Sequence, residues 1–116
     1  MIKSPEARLQ ESCFQWFRLQ YPSYFYLFFS IPNGGSRNIR EAVNLKKTGV
    51  VAGVSDTFLA FPRNGYHGLF IEFKSGKNKL TVNQVQFSNT VISAGYQFEV
   101  IRSFDEFKDL IEKYIG

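Results

Sequence analysis

Two acidic residues and one lysine lie where they could bind and use a metal ion. Asp56 follows a glycine-bracketed turn, Gly49-Val-Val-Ala-Gly53, and Glu72 and Lys74 end a run that is apolar on both faces, which indicates a central strand. Carboxylate oxygens are hard ligands that suit Mg²⁺ or Mn²⁺. A metal ion held there lowers the pKa of a bound water and neutralises phosphate charge. Lys74, two residues beyond Glu72, could orient or deprotonate that water.

The segment between the two acids predicts a β-hairpin that brings them together. Strand-forming residues flank Asn64-Gly65, a strong hairpin turn signal. A two-residue turn places Asp56 opposite Phe73, and a three-residue loop centred on Asn64 places it opposite Glu72. In both registers the carboxylates lie on neighbouring strands, where facing Cβ atoms are about 4.5–5.5 Å apart. Like charges that close repel each other unless a cation binds between them.

The remaining elements predict an α/β fold. The first helix is expected over about Pro5–Gln20, because Ser4 is a good N-cap and Pro5 suits the first helical position. The other expected elements are a strand at Tyr24–Ile31, a helix capped by Ser36 through about Lys46, strands at about Ser55–Phe61 and Gly68–Lys74, a helix from Thr81 to about Ala94, a strand at Tyr96–Arg102 and a helix at Phe104–Tyr114. This order favours a mixed β-sheet of about four strands flanked by helices.

Composition narrows the class of protein. The chain has 116 residues, 44% hydrophobic and 21% charged, which favours one globular domain over 1–116 and argues against disorder. One cysteine, Cys13, excludes a disulfide framework and a Cys-rich zinc site, and it fits a reducing cytoplasm. No run approaches the roughly 18 apolar residues of a membrane span, so no membrane partner is expected. A net charge of +4 permits a polyanionic partner without requiring one.

The spacing of Asp56, Glu72 and Lys74 resembles the signature of the PD-(D/E)xK nucleases, with Ser55 where the proline usually stands. Further motifs, in order along nearly the whole chain, resemble the VRR-NUC (virus-type replication-repair nuclease) branch. They are Glu6-Ala-Arg-Leu-Gln10, Pro32-Asn-Gly-Gly-Ser-Arg37, Gly49…Gly53-Val-Ser-Asp56, Ile71-Glu-Phe-Lys74, and Thr81…Gln84 followed by Ala94-Gly-Tyr96. The resemblance implies a restriction-endonuclease-like core of the stand-alone phage or bacterial type.

The resemblance also implies a role for each matching residue. Asp56 and Glu72 hold Mg²⁺ or Mn²⁺, and the backbone carbonyl of Phe73 completes the protein ligands. Lys74 is the catalytic lysine. Gln84, on the helix after the catalytic strand, steadies Lys74 or the scissile phosphate.

A helical carboxylate completes the implied site, and two residues compete for the role. Glu6 is expected to reach the metal, directly or through water. The helical wheel places Glu6 beside the apolar face of the first helix and places Glu11 on the solvent side. Glu6 is therefore preferred, although Glu6 at a helix start also simply complements the helix dipole.

The implied activity is metal-dependent endonucleolytic cleavage of branched DNA, with a Holliday-junction resolvase as the expected enzyme. A symmetric four-way junction needs two matched incisions, which a two-fold homodimer supplies. Phosphate contacts are expected from basic residues, namely Arg37, Lys46, Lys47, Lys77 and Lys79. The expected location is the cytoplasm, that of a bacterial host if the chain is phage-encoded. Two alternatives remain open, a flap or nick endonuclease with the same site and a non-catalytic DNA-binding module.

Overall fold

The computed structural model describes residues 3–32 and 38–116. Its elements are α1 (Pro5–Gln20), a 3₁₀ helix (Pro22–Leu27), β1 (Phe28–Ser30), α2 (Ile39–Lys47), β2 (Thr57–Leu59), β3 (Leu69–Phe73), α3 (Val82–Ser93), β4 (Gln97–Ile101) and α4 (Phe104–Ile115). The expected phosphate contact of Arg37 and the expected cap at Ser36 lie outside the described residues. Within the described ranges, no helix combines the length and apolar character that a membrane crossing requires.

The four strands form one mixed sheet in the order β1-β2-β3-β4. The pairs β1/β2 and β2/β3 are antiparallel, and β3/β4 is parallel. The predicted fold class is confirmed, as is the central position of β3. A parallel partner for β3 requires a crossover, and α3 provides it.

The β2–β3 hairpin combines features of both predicted registers. Arg63 and Tyr66 pair across a two-residue turn, in which Asn64 has a φ of +54° and Gly65 a φ of +84°. In the strands, however, Leu59 faces Leu69. Three residues, 60–62, therefore oppose two, 67 and 68, and this bulge-like mismatch shifts the strands by one residue relative to the turn.

The two faces of the sheet pack against different helices. On one face, α1 and α4 cover a core whose largest fully buried side chains include Phe17, Phe28, Phe73, Phe107 and Tyr114. On the other face, Phe87 of α3 packs edge-on against Phe70, at 5.2 Å between ring centroids. The sheet is thus held from both sides, which fixes the position of its strand ends.

The prediction of a strand at Tyr24–Ile31 is wrong over most of that segment. Residues Pro22–Leu27 form the 3₁₀ helix, and only Phe28–Ser30 is extended. Proline fixes φ near −65°, which suits the start of a helical turn, and the Tyr24 N–H donates to the Tyr21 carbonyl at 2.9 Å. Ring packing of Tyr24 on Tyr21 and Phe61 then stabilises the turn.

The second helix starts later than expected. Asn38, not Ser36, caps α2, and its side-chain oxygen accepts from the Glu41 N–H at 2.8 Å. Asn and Ser are equivalent N-cap residues, so sequence preference alone does not choose between them.

Gly53 brings the loop before β2 into close contact with α3. Its φ is +93°, and a Cβ atom there would lie 2.4 Å from the carbonyl oxygen of Asn83. Gly49 in the same loop has a φ of +108°, but a Cβ atom at that position would meet nothing within 4 Å. Both glycines thus have a left-handed backbone, but only Gly53 is also in close steric contact with another element.

We expect Gly53→Ala to destabilise the protein more than Gly49→Ala. Both substitutions carry the left-handed backbone penalty of about 1–2 kcal/mol. Gly53→Ala must also displace backbone of α3, because the obstructing atoms belong to Asn83. Urea denaturation of both variants measures the difference, and equal losses of unfolding free energy would contradict the close approach.

Candidate active site

Asp56 and Glu72 are held together by reciprocal hydrogen bonds to each other's strand. The Asp56 N–H donates to Glu72 Oε1 at 3.1 Å, and the Phe73 N–H donates to Asp56 Oδ2 at 2.8 Å. Because Thr57 faces Ile71 in the ladder, Asp56 is next in line to face Glu72. The sequence-predicted pair is therefore brought together, in the register that faces the two acids directly.

Buried hydroxyl groups fix the backbone on either side of Asp56. Ser55 and Thr57 are fully buried. The Ser55 hydroxyl donates to the Thr57 carbonyl, and the Thr57 hydroxyl donates to the Ile71 carbonyl at 2.9 Å. On the other side, the Ile31 N–H donates to the Asp56 carbonyl at 2.7 Å. The sequence interpretation missed the role of these two hydroxyls. The pattern that could have indicated it is a small polar residue on each side of an acidic residue.

The environment of the pair disfavours two negative charges. Burial, followed by the nearby charge of Asp56, raises the pKa of Glu72 to about 7. Burial also raises the pKa of Asp56, although the Phe73 N–H and the Lys74 ammonium oppose this shift. A bound cation would relieve the cost of ionising both groups.

Lys74 and Gln84 both approach the same oxygen of Glu72. Lys74 Nζ lies 4.0 Å from Glu72 Oε2, and Gln84 Nε2 donates to that oxygen at 3.0 Å. The Gln84 side-chain oxygen accepts from the Thr81 N–H at 2.9 Å, which completes a capping box at the start of α3. Gln84 thus contacts Glu72 rather than Lys74, and the Thr-x-x-Gln pattern was the available signal for its orientation.

The two helical carboxylates differ in their surroundings. Glu6 is half-buried, and its negative charge contributes to the raised pKa of Asp56. Glu11 pairs instead with the ammonium of Lys3. The effect of the Glu6 charge on Asp56 is consistent with the preference for Glu6, whose role in the site stays a prediction.

The expected phosphate-binding lysines lie in two exposed segments. Lys46 and Lys47 are in the last turn of α2. Lys77 and Lys79 are in the loop that follows β3, shortly after Lys74. Arg102, which the sequence interpretation did not single out, donates to the Gly76 carbonyl at 2.9 Å and ties this loop to the end of β4.

The donor set fits a small hard cation. In residues 3–32 and 38–116, no three His, Cys, Asp or Glu side chains cluster closely enough to hold a metal by themselves. Two carboxylates suffice for Mg²⁺, which keeps several water ligands and binds through one or two carboxylates plus substrate phosphate. Asp56 and Glu72 supply that pair, and the Phe73 carbonyl is adjacent in the chain.

A mixed sheet that carries an Asp, a Glu and a Lys on adjacent strand ends defines the PD-(D/E)xK class of nuclease fold. A family model described as the VRR-NUC domain matches residues 3–105. A solved structure described as a "VRR_NUC domain protein" aligns with a TM-score of 0.83 at 27% identity, covering 99% of this chain and 91% of that chain. The comparison with curated proteins gives no match.

The chain therefore belongs to the VRR-NUC family. A VRR-NUC domain is a nuclease domain of the PD-(D/E)xK type, and DNA is the substrate that such a domain implies. Domains of this type generally use divalent metal ions.

Without a bound cation, we expect the protein to lose stability as the pH rises through Glu72's titration. The pKa of Glu72 is about 7 in the folded protein, against an ordinary value of 4.5. Between these values the folded protein binds more protons than the unfolded chain. The free energy of unfolding therefore falls with rising pH, by at most about 1.4 kcal/mol per pH unit. Urea denaturation in EDTA at pH 5 and pH 7.5 measures this loss.

Two substitutions test whether Glu72 causes this loss of stability. Glu72→Gln flattens the pH profile, whereas Glu112→Gln, at an exposed position on α4, leaves it unchanged. Excess Mg²⁺ also raises stability near pH 7.5 in the unsubstituted protein. A wild-type profile in EDTA that rises across this interval contradicts the assigned pKa shift.

Substitution of Gln84 separates its two contacts. Gln84→Glu can still complete the capping box, but it replaces the donor to Glu72 with a second negative charge. We expect DNA cleavage to fall about 10- to 100-fold, as is typical for partners of metal ligands, while circular dichroism still shows the wild-type helix content. Thr81→Ala is the matched control, because it removes the cap, at about 0.5–2 kcal/mol, and leaves the amide on Glu72. Full activity of Gln84→Glu argues against a positioning role.

Proposed function

We propose that this chain is a metal-dependent, structure-selective endonuclease that hydrolyses phosphodiester bonds in branched DNA. Its preferred substrate is a Holliday junction, which it cuts as a homodimer. The observation that carries the hydrolytic part is the paired arrangement of Asp56 and Glu72 with Lys74 beside them. Family membership supports the DNA substrate.

Each residue of the site has a defined task in this proposal. Asp56 and Glu72 hold Mg²⁺ or Mn²⁺ together with the Phe73 carbonyl. The bound ion supplies neutralisation of phosphate charge and a more acidic water. Lys74, whose Nζ lies 4.0 Å from Glu72 Oε2, orients the attacking water through its ammonium or, as the neutral amine, takes the proton of that water. Gln84 keeps the Glu72 carboxylate in place.

Glu6 and the basic residues complete the proposed site. Glu6 adds a third negative charge near the cation, directly or through water. Arg37, Lys46, Lys47, Lys77 and Lys79 are the proposed DNA contacts. The exposed positions of the four lysines support phosphate binding, because such contacts orient a DNA backbone without reading its sequence.

The homodimer is supported by the amount of apolar surface and by the symmetry of the substrate. Among the described residues, Leu19, Tyr26, Ile39 and Val82 are each at least 80% exposed. Burial of such side chains against a second copy is favourable. A four-way junction presents two equivalent strands, so two sites related by a two-fold axis match it.

Cleavage of the active-site variants tests the catalytic proposal. We expect Asp56→Asn, Glu72→Gln and Lys74→Ala each to reduce Mg²⁺-dependent cleavage at least about 100-fold, with circular dichroism spectra that match the wild type. Lys108→Ala, at an exposed position on α4, is the matched control and cuts normally. Full activity of Asp56→Asn would end the proposed mechanism.

A panel of matched DNAs tests the substrate. We expect a four-way junction to be cut faster than flap, nicked, forked or linear duplexes of the same sequence in Mg²⁺ or Mn²⁺. Preferred cutting of a flap or nick supports the first alternative. Junction binding without titratable Mn²⁺ binding in calorimetry supports the non-catalytic module.

A further inference from the structure

The loop that follows β3 is bound to the end of β4 by the side chain of Arg102. Its guanidinium Nη1 donates to the Gly76 carbonyl at 2.9 Å. The last paired residues of these two parallel strands are Phe73 and Ile101, and the carboxyl ends of parallel strands meet at the same edge of a sheet. Arg102 therefore acts on the segment that directly follows Lys74, the proposed catalytic lysine.

The residue that Arg102 binds lies inside a tight turn over 75–78. The Asn78 N–H donates to the Ser75 carbonyl at 3.1 Å, and the Asn78 side-chain amide donates to the Ser75 hydroxyl at 3.3 Å. Gly76 has a φ of +53°. Glycine also gives the chain many alternative conformations. The hydrogen bond from Arg102 to Gly76 therefore restricts the 75–78 turn at its most variable point.

The backbone of Arg102 is itself fixed by the start of α4. The Arg102 N–H donates to Glu106 Oε1 at 2.7 Å, and the Glu106 N–H donates to the Ser103 hydroxyl at 3.2 Å. On the neighbouring strand, the Lys74 N–H donates to the Ile101 carbonyl at 3.1 Å. The guanidinium thus extends from a firmly held strand end, and its hydrogen bond fixes the turn relative to that end.

Lys77 is the exposed cation that this turn positions. It lies at the centre of the turn, between Gly76 and Asn78, and three residues after Lys74. Among residues 3–32 and 38–116, Lys77 forms no ion pair with a carboxylate, so its ammonium is available to a phosphate. A lysine on a loosely held loop loses conformational freedom when it binds, and this loss lowers affinity. A turn that is ordered before binding avoids part of that cost.

We infer that Arg102 is a positioning residue for DNA binding. Its hydrogen bond to Gly76 holds the 75–78 turn so that Lys77 contacts a backbone phosphate near the scissile one, and Arg102 acts through the turn without binding DNA itself. The inference rests on the proposed endonuclease function. It deepens that function by distinguishing the residue that binds the phosphate from the residue that orders it.

Amide hydrogen exchange in the DNA-free protein tests the effect of Arg102 on the turn. Arg102→Met removes the donor and keeps an unbranched apolar stem. We expect the Asn78 N–H, which closes the turn, to exchange at least about threefold faster in this variant than in the wild type. Arg102→Lys, which retains a donor, keeps more of the protection. Lys108→Met, at an exposed position on α4, is the matched control and leaves the rate unchanged. An equal rate in Arg102→Met and the wild type contradicts the inference.

A double-mutant cycle tests the connection to DNA. In an Asp56→Asn background, fluorescence anisotropy measures binding of a four-way junction over a range of salt concentrations. We expect Arg102→Met and Lys77→Ala each to weaken binding about three- to tenfold and to reduce the slope of log affinity against log salt by at most about one. Because both substitutions remove the same phosphate contact, the double variant binds no more weakly than Lys77→Ala alone. Lys108→Ala changes neither quantity.

The other outcomes of the cycle overturn the inference in distinguishable ways. If the two losses of affinity add and the salt slope of the double variant falls by about two, Arg102 binds a phosphate itself and is not a positioning residue. If Lys77→Ala binds the junction as tightly as its parent, the turn does not contact DNA, and cleavage by the wild type still supports the nuclease proposal. If the wild type neither binds nor cuts any DNA of the panel, both proposals fail.

Discussion

The site depends on two carboxylates that each accept a hydrogen bond from the backbone of the neighbouring strand. Asp56 and Glu72 repel each other when both are ionised at this short separation, yet a backbone N–H group holds each carboxylate in place. These two hydrogen bonds resist separation of the two acids. The negative charge of these two carboxylates is only partly neutralised by the fold, and binding of a positive ion depends on the charge that remains.

The rest of the structure keeps those two N–H groups in place. Hydroxyls from Ser55 and Thr57 anchor the backbone beside Asp56. The close approach of Gly53 to Asn83 sets α3 against the same loop, and α3 in turn carries the amide of Gln84 to Glu72. Core packing of aromatic residues on both sheet faces gives these short contacts a rigid frame. Precision at the site is therefore a property of the whole domain.

The sequence predicted the fold class and the pairing of the acids because both follow from local signals. A strong turn between two strand-forming runs confines Asp56 and Glu72 to adjacent strands whatever the register. The register itself depends on the extra residue among 60–62, which no local preference specifies. The 3₁₀ helix at Pro22–Leu27 was missed because aromatic residues favour strands locally, while here their rings stack on one another and on Phe61.

The helices also differ in what the sequence could predict: features set by neighbouring residues were predicted, and contacts between distant elements were not. The first helix and its cap were predicted correctly, since Ser4 and Pro5 act within one turn. The contact of Gln84 with Glu72 was not predicted. Both sides of α3 are partly apolar, so the sequence of the helix alone does not indicate which side faces the sheet. The roles assigned to the site residues remain predictions.

The mismatch of three residues against two in the hairpin makes chain length part of the active site. Because side chains alternate between the faces of a strand, a shift of one step would carry Asp56 to a position opposite Phe73 and turn one of the two side chains away from the other. Deletion of a single residue among 60–62 or 67–68 therefore changes which atoms of the two strands meet. The number of residues in this segment thus decides whether the two acids lie on the same face of the sheet.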